Sequence, residues 1–384
     1  MQKPFINVIA STLTAVALTF PVNIACVSAA DSENVTGTNI SEASYLTPFE
    51  SRYDLTSNHL IVDDLNFNGV KEVNTNSEAE EYMQACVDRG YHYVFFRASS
   101  GVKFDLNSFM NKNEITYVVI YTITRSGKTY TGYEFTYTYS YDILKAVAAG
   151  KESTLNTKQQ QVLKVAKDFI ASLPAEMTDY DKELAIHNYV CEKLSYMNDN
   201  KLENITDCYG GLILGRGNCT AYTDSFNLLC GLVGLDTGRV ICTVNGGAHA
   251  LNYINIDGEY YFVDCTFDDG IDSSIGYGLF YFNMPYSAIT KTHNLPNLPF
   301  VPTEGTNSYG YYQRNGMYAD SPDELMRLYK QLADTAGTGE ILFNTANGNA
   351  SLSDMFHEYP AGKTTISTSI CTIGQYKILK FTLN

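Results

Sequence analysis

One cysteine of this sequence stands where a helix would hold a nucleophile. Cys219 follows a loop, residues 215–218, that contains two glycines. An apolar stripe with helical spacing then begins, formed by Tyr222, Phe226, Leu229 and Val233. Free backbone amides at the N-terminus of a helix favour a thiolate and can hold a developing oxyanion. We therefore predict that Cys219 is a nucleophile, with Gly217 and Asn218 as candidate oxyanion or substrate-binding residues.

A β-hairpin is predicted about thirty residues further along the chain. Strand-like runs cover residues 248–256 and 259–266, and Asp257-Gly258 stands between them. An Asp-Gly pair between two such runs is a strong signal for a two-residue turn. That turn fixes the register, because it pairs Ile256 with Glu259.

The predicted register places a histidine beside an aspartate. Leu251 then lies opposite Asp264, and His249 lies opposite Thr266. His249 and Asp264 become diagonal neighbours on one face, with Cα atoms roughly 7–8 Å apart. This is the layout of a Cys-His-Asp triad, in which Cys219 attacks, the histidine carries the proton and the aspartate orients the imidazole. The alternative is a buried structural thiol and a sheet histidine, and a slip of one residue would separate the pair.

Two amphipathic helices precede the cysteine and position it. Thr157 is predicted to cap the first, which runs to Leu173, and Thr178 to cap the second, which runs to about Leu194. The second helix contains His187, for which a buried hydrogen-bonding role is favoured over catalysis.

The regions on either side of this central part share an order of predicted elements, namely capped helix, strand, connector and hairpin. In the first region these are a capping box at 77–80, a strand at 91–97 and hairpin strands at 117–124 and 129–141. In the second they are a capping box at 321–324, a strand at 340–344 and hairpin strands at 364–372 and 375–383. We predict small α+β modules at 31–150, with a flexible leader at 31–50, and at 301–384, flanking a catalytic domain at 151–300.

Five aromatic residues share one face of the second predicted hairpin strand. They are Tyr133, Phe135, Tyr137, Tyr139 and Tyr141. Such a face is usually part of a core, and a platform for carbohydrate or peptide is the alternative.

The first thirty residues have the layout of a secretory signal peptide. Lys3 precedes an apolar run at 5–20, and Val27-Ser28-Ala29-Ala30 offers small residues for cleavage. We therefore expect a secreted or cell-surface protein. A retained membrane anchor is one alternative, and a lipoprotein attached through Cys26 is another, although Asn23 stands where such a motif has Leu.

Composition excludes several classes of partner. The 384 residues carry a net charge of −16, which argues against nucleic acid and against anionic membrane surfaces. Outside the signal peptide, no stretch has the ~18 consecutive apolar residues of a membrane span. The nine cysteines form no CxxC pair, and the adjacent Asp268 and Asp269 are too few for a calcium site. We predict neither a metal nor a cofactor.

Several ordered motifs resemble the transglutaminase-like superfamily of papain-fold cysteine enzymes. They are Gly217-Asn218-Cys219-Thr220-Ala221-Tyr222, His249-Ala250-Leu251-Asn252, the run from Tyr260 to Asp269, the lead-in helix from Leu184 to Val190 and the stretch around Tyr209-Gly210-Gly211. Together they span about residues 155–295. The resemblance implies an α+β, papain-like core with the nucleophile helix packed on an antiparallel sheet. It also implies that Cys219, His249 and Asp264 are catalytic.

The sequence departs from the family pattern where the family commonly has tryptophan. Leu251 stands two residues after the histidine, Phe267 follows Thr266, and the chain contains no Trp. The indole that assists oxyanion binding in animal transglutaminases is therefore missing. That role would fall to backbone amides, notably that of Cys219, and to Tyr209. We expect amide or isopeptide hydrolysis of peptides or proteins rather than crosslinking; the alternative is a non-catalytic surface or matrix-binding protein that uses the fold as a scaffold.

Overall fold

A computed structural model describes residues 13–19, 25–29, 53–54, 59–60, 70–88, 91, 93–104, 106–125, 127–199, 201–270, 278–296, 298, 310–350, 355 and 366–383. The predicted leader at 31–50 lies outside these residues. The chain divides into two compact units, residues 1–141 and 142–384. The predicted central and C-terminal regions thus fall in one unit.

The first unit is built around a six-stranded sheet with the order β2-β1-β7-β8-β6-β5. Its β1 and β2 come from the segment predicted to be a signal peptide, and β1 pairs with β7. The elements are β1 (Leu13–Thr19), β2 (Ala25–Ala29), β3 (Tyr53–Asp54), β4 (His59–Leu60), β5 (Glu72–Val73), α1 (Asn76–Asp88), β6 (Tyr93–Ala98), α2 (Leu106–Lys112), β7 (Ile115–Arg125), β8 (Lys128–Tyr137) and α3 (Tyr139–Ala148), the last of which crosses into the second unit.

Two predicted boundaries in this unit are wrong. The first helix begins earlier than its expected capping box, because Thr75 Oγ1 accepts the Glu78 backbone N–H at 3.1 Å. The second hairpin strand ends at Tyr137, and Tyr139 already belongs to α3. Thr138 Oγ1 accepts the backbone N–H of Tyr141, which starts the helix. The aromatic face is a core face up to that point, since Tyr133, Phe135 and Tyr137 are buried.

The second unit contains most of the helices and three further sheets. Its elements are α4 (Thr157–Ser172), α5 (Asp179–Lys193), β9 (Ser195–Tyr196), α6 (Cys208–Leu212), β10 (Arg216–Gly217), α7 (Cys219–Leu232), β11 (Asp236–Val244), β12 (Gly247–Ile256), β13 (Glu259–Val263), α8 (Cys265–Asp269), α9 (Tyr286–Ile289), α10 (Tyr311–Arg314), β14 (Tyr318–Ala319), α11 (Pro322–Thr335), β15 (Thr338–Asn344), β16 (Ile366–Ile373) and β17 (Tyr376–Leu383). Among the described residues, no helix is both long and apolar enough to cross a bilayer.

Side-chain caps determine where the two lead-in helices begin. Asn156, not the predicted Thr157, caps α4, and its side chain accepts the Gln159 N–H at 2.9 Å. Thr178 caps α5 as predicted, in a capping box with Asp181. Both boxes satisfy backbone donors that a helix start leaves without partners.

Helix α7, which begins at Cys219, packs on β11 and β12 of the antiparallel sheet β11-β12-β13. The turn between β12 and β13 is the predicted one: Asp257 and Gly258 both have positive φ, and Ile256 pairs with Glu259. Asn252 faces α7 and donates to the backbone oxygen of Thr223 at 3.1 Å. The α+β class is therefore confirmed, and the helix that begins at Cys219 packs on an antiparallel sheet as predicted.

The predicted strand through Thr266 ends earlier, at Val263. Asp264 leaves the ladder and caps α8 by accepting the Phe267 backbone N–H at 3.1 Å. The predicted pairing of His249 with Thr266 is therefore wrong, because Thr266 lies in a helix.

The C-terminal sheet repeats the strand arrangement of the first unit. Its order is β14-β15-β17-β16, and the other sheet contains β5-β6-β8-β7 in corresponding positions. In each, a short strand pairs in parallel with the next strand after an intervening helix, and a hairpin follows. Leu342 and Ile378 of this sheet share a core with Val240, Leu251 and Phe262 of the central sheet.

Candidate active site

Cys219 is the first residue of α7 and is partly exposed. Asn218 precedes it as the N-cap, accepting the Thr220 N–H on its side chain at 3.0 Å. The backbone oxygen of Asn218 accepts the N–H groups of Ala221 and Tyr222. The first amide of an α-helix has no acceptor inside the helix. The Cys219 N–H is therefore the amide best placed to meet an oxyanion, whereas the Asn218 side chain is already used in capping.

The loop before Cys219 depends on close backbone packing. A Cβ on Gly217 would lie 2.2 Å from the Ala221 Cβ. Gly217 also belongs to β10, which pairs in parallel with Tyr196 of β9. Gly217 therefore has no side chain because the loop before Cys219 passes too close to Ala221 of α7 to leave room for one.

Cys219 differs in exposure from six other cysteines of the chain. It is partly exposed, while Cys86, Cys191, Cys208, Cys230, Cys242 and Cys265 are buried free thiols. The expectation that most other cysteines are buried is confirmed for these six. Burial raises the pKa of the Cys242 thiol, which lies opposite His249 in the sheet, so Cys242 stays a neutral thiol.

His249 joins the thiol to the aspartate. Its Nε2 lies 2.7 Å from Asp264 Oδ2, and its side chain also interacts with that of Cys219. Because Nε2 is occupied by the carboxylate, Nδ1 is the ring nitrogen left for the thiol. Burial alone would lower the pKa of His249, but the Asp264 charge and the contact with Cys219 raise it to about 10. The imidazole is thus prepared to hold a proton.

Asp264 is buried and fully hydrogen-bonded. Oδ1 accepts the Phe267 N–H, and Oδ2 lies 2.7 Å from His249 Nε2 and 3.0 Å from Nε2 of a second histidine, His293. Burial alone would raise the pKa of the Asp264 carboxyl, but the two imidazoles hold it well below its usual range. A carboxylate therefore faces His249.

Aromatic rings pack around the two imidazoles. The Phe267 ring lies 4.7 Å from the His249 ring and 5.1 Å from the His293 ring, measured between centroids. Tyr281 packs edge-on against both Phe267 and His293. These rings keep water away from the imidazoles, so the hydrogen bonds to Asp264 act in a medium of low polarity.

A buried pair braces the helix that Asp264 caps. His187 Nε2 of α5 lies 3.0 Å from Asp268 Oδ2 of α8, and Asp268 Oδ1 accepts the Tyr281 N–H at 2.9 Å. Next to it, Asp269 accepts a hydrogen bond from the Tyr222 hydroxyl of α7. The buried structural role favoured for His187 is what the structure shows, and both adjacent carboxylates have partners.

Tyr209 lies in α6, where the Lys158 ammonium stands 5.2 Å from the centre of its ring. This is the contact the structure gives for Tyr209, so its predicted oxyanion role stays a prediction. A cavity of about 200 Å³ lies elsewhere, with Phe280, Tyr312 and Tyr376 in its wall, and its lining does not include Cys219, His249 or Asp264.

Sequence reasoning missed His293. It follows α9, in a stretch without a motif, and Asp264 is 29 residues away along the chain. The contact between His293 and Asp264 is a tertiary contact, so no local sequence pattern indicated it.

The described part of the chain contains two groups of side chains whose atoms are close enough together to hold a metal ion. They are His187, Cys191 and Cys265, and His249, Asp264 and His293, each with ligand atoms within 4.8 Å of one another. In the second group the closest nitrogen–oxygen distances, 2.7 and 3.0 Å, are those of hydrogen bonds. The expectation of no metal stays a prediction.

Comparison with protein families gives one match in this region. Residues 167–265 match the family model of the transglutaminase-like superfamily, a range that contains Cys219, His249 and Asp264. Comparison with curated proteins gives no match.

Three solved structures are similar to parts of this chain. A crystal structure of a TGase is 15% identical with a TM-score of 0.25 and covers 45% of this chain and 50% of its own. A candidate cysteine protease from Cytophaga hutchinsonii is 12% identical with a TM-score of 0.27, covering 48% and 62%. A candidate protease from Parabacteroides distasonis is 9% identical with a TM-score of 0.23, covering 68% and 55%. The chain thus spans about half to three fifths of these proteins.

Proposed function

We propose that this chain, which carries a transglutaminase-like domain, is an exported cysteine enzyme that acts on amide or isopeptide bonds of peptides or proteins. The observation that carries the proposal is the Cys219–His249–Asp264 arrangement. A partly exposed thiol at a helix N-terminus interacts with an imidazole, and a buried carboxylate holds that imidazole. A thiol, a base within reach of it and a third group that orients the base are the arrangement typical of nucleophilic thiol catalysis.

In the proposed reaction, His249 Nδ1 takes the Cys219 proton and the sulfur attacks the substrate carbonyl. The oxyanion meets the Cys219 backbone N–H at the positive end of α7. The His249 proton then passes to the leaving nitrogen, so an amine departs and a thioester remains on Cys219. Asp264 keeps the imidazole oriented and stabilises its charged form throughout.

Water or an amine can resolve the thioester, and we propose that hydrolysis dominates. The support is the absence of Trp from the sequence and the presence of Phe267 beside His249 in place of an indole. A benzyl ring carries no N–H, so it cannot donate to the oxyanion.

A peptide pool tests the proposal. The purified protein is incubated with mixed peptides, with and without an added primary amine, and products are weighed by mass spectrometry. We expect cleavage, or the small mass gain of deamidation, in excess over amine adducts, and we expect none of these from Cys219→Ala. Predominant amine adducts would instead select transfer. A wild-type protein no more active than Cys219→Ala, with Cys219 no more reactive toward alkylation than a buried thiol, would favour a scaffold role.

Export has its own prediction. We expect the protein expressed in a secreting bacterial host to lose residues 1–30, since Ser28 and Ala30 fit the cleavage site. N-terminal sequencing should then begin at Asp31, and Ala30→Phe should block processing. A chain that still starts at Met1 contradicts the proposal, and a lipid mass on Cys26 would select the lipoprotein alternative.

A further inference from the structure

His293 is a buried titratable residue that the proposed reaction does not use. Its side chain is fully buried, and its Nε2 lies 3.0 Å from Asp264 Oδ2. This is the oxygen that His249 Nε2 approaches to 2.7 Å. One carboxylate oxygen is therefore shared by two imidazoles, whose ring centroids are 5.4 Å apart.

The backbone around His293 is held from both sides. The His293 N–H donates to the Ile289 oxygen at 2.9 Å, which closes the turn after α9. Asn294 forms an antiparallel bridge with Thr243, with hydrogen bonds of 2.8 and 3.2 Å in both directions. Thr243 is next to Cys242, which pairs with His249. His293 and His249 are thus fixed to the same end of β11.

The hydrogen bonds of Asp264 and His293 indicate which nitrogens of the two imidazoles carry a proton. Asp264 is an ionised acceptor, so a proton on each Nε2 satisfies both contacts. His293 Nδ1 lies 2.8 Å from Thr292 Oγ1, a hydroxyl that also has the Ile289 oxygen within 3.2 Å. The Thr292 hydroxyl can donate to Nδ1 or to the Ile289 oxygen, and in both arrangements Nε2 is the ring nitrogen that faces Asp264.

We propose that His293 is a positioning residue that acts through Asp264 to hold His249. Oδ1 of Asp264 is held by the Phe267 N–H, so the Nε2–H of His293 completes the orientation of the carboxylate. Without that donor, Asp264 Oδ2 would have His249 as its remaining hydrogen-bond partner, and the carboxylate would be held less firmly in its orientation. This inference rests on the proposed function, since it assigns a role within the same site.

The groups that face His293 and Asp264 are few among the described residues. They are His249 from β12, Cys242 from β11, Cys265 and Asp268 from α8, and the Tyr281 ring. Since Asp268 is paired with His187, and Cys242 is neutral, substitution of His293 changes chiefly the donor to Asp264.

Two variants of similar size separate the donor from the packing. His293→Gln keeps an N–H at about the reach of Nε2, whereas His293→Leu fills the space without a donor. The readout is the alkylation rate of Cys219 at neutral pH, measured by peptide mapping, and His249→Ala serves as the reference for a thiol without its base. We expect His293→Leu to slow alkylation about tenfold, the lower end of what losing an orienting partner costs. We expect His293→Gln to stay within about threefold of wild type.

A measurement on the wild-type protein makes the inference independent of variant folding. In ¹⁵N-histidine spectra, we expect Nε2 of His293 to stay protonated over the pH range in which Cys219 is reactive. Equal rates for His293→Leu and wild type, equal losses in both variants, or an unprotonated Nε2 would each overturn the inference. Failure of the proposed function looks different, because wild-type Cys219 would then react no faster than it does in His249→Ala.

Discussion

Asp264→Asn is expected to lower kcat by about 10⁴-fold on the peptide that the screen identifies, while the protein stays folded. The amide keeps one oxygen, which can still accept the Phe267 N–H and cap α8. The other position becomes an NH₂ group, a donor, facing the Nε2 atoms of His249 and His293.

The physical reason for so large an effect is the tautomer of His249. Two donors cannot face each other at hydrogen-bond distance, so His249 would move its proton from Nε2 to Nδ1. Nδ1 is the nitrogen left for the Cys219 thiol, and once protonated in the neutral ring it cannot accept the thiol proton. The imidazolium also loses the carboxylate that stabilises its charge.

The matched control is Asp269→Asn, in the same helix five residues away. Asp269 accepts its hydrogen bond from the Tyr222 hydroxyl and does not contact His249 in the structure. We expect kcat of the control to fall less than tenfold. Comparable losses in both variants, or an Asp264→Asn enzyme with near-normal kcat, would show that Asp264 does not orient the base.

Gly210→Ala is expected to lower the free energy of unfolding by about 3 kcal/mol or more. A Cβ on Gly210 would lie 1.6 Å from the backbone oxygen of Asn204 and 3.0 Å from that of Arg216. Backbone atoms cannot rotate away as the end of a side chain can. The Asn204 turn and strand β10, which leads into Cys219, would both have to shift.

Urea unfolding of the variant and wild type measures this loss, with Gly247→Ala as the control. A Cβ on Gly247 would lie 3.5 Å from the Val244 oxygen, an ordinary contact, so we expect a change within about 0.5 kcal/mol. If Gly210→Ala is as stable as wild type, the prediction is wrong, and the close approach of α6 to the Asn204 turn does not require glycine at this position.

The role of Asp264 could be predicted from the sequence, but the details of its strand pairing could not. Asp264 was predicted as the orienting acid from the turn at Asp257-Gly258, because a two-residue turn sets the register of both strands. The detailed pairing failed near its end, where Asp264 caps α8 and Thr266 becomes helical. An aspartate that can accept its own downstream N–H competes with the strand ladder, and that competition is a matter of local context.

The helix starts show the same limit at smaller scale. Thr178 and Ser321 cap their helices as predicted, since the capping side chain and the backbone N–H are three residues apart. Asn156 was missed in favour of Thr157, because two adjacent residues can each cap and only the packed helix selects one.

What the sequence determined by itself was the local chemistry: a cysteine at a helix start, a histidine and an aspartate flanking a defined turn, and caps that delimit the helices. These features follow from interactions between residues a few positions apart, so a local sequence pattern can predict them. The tertiary structure alone decided that His293 shares Asp264 with His249, that His187 braces Asp268, and that Gly210 meets Asn204. The two histidine contacts join residues 29 and 81 positions apart. Their distances depend on how whole elements pack, and no spacing along the chain encodes that.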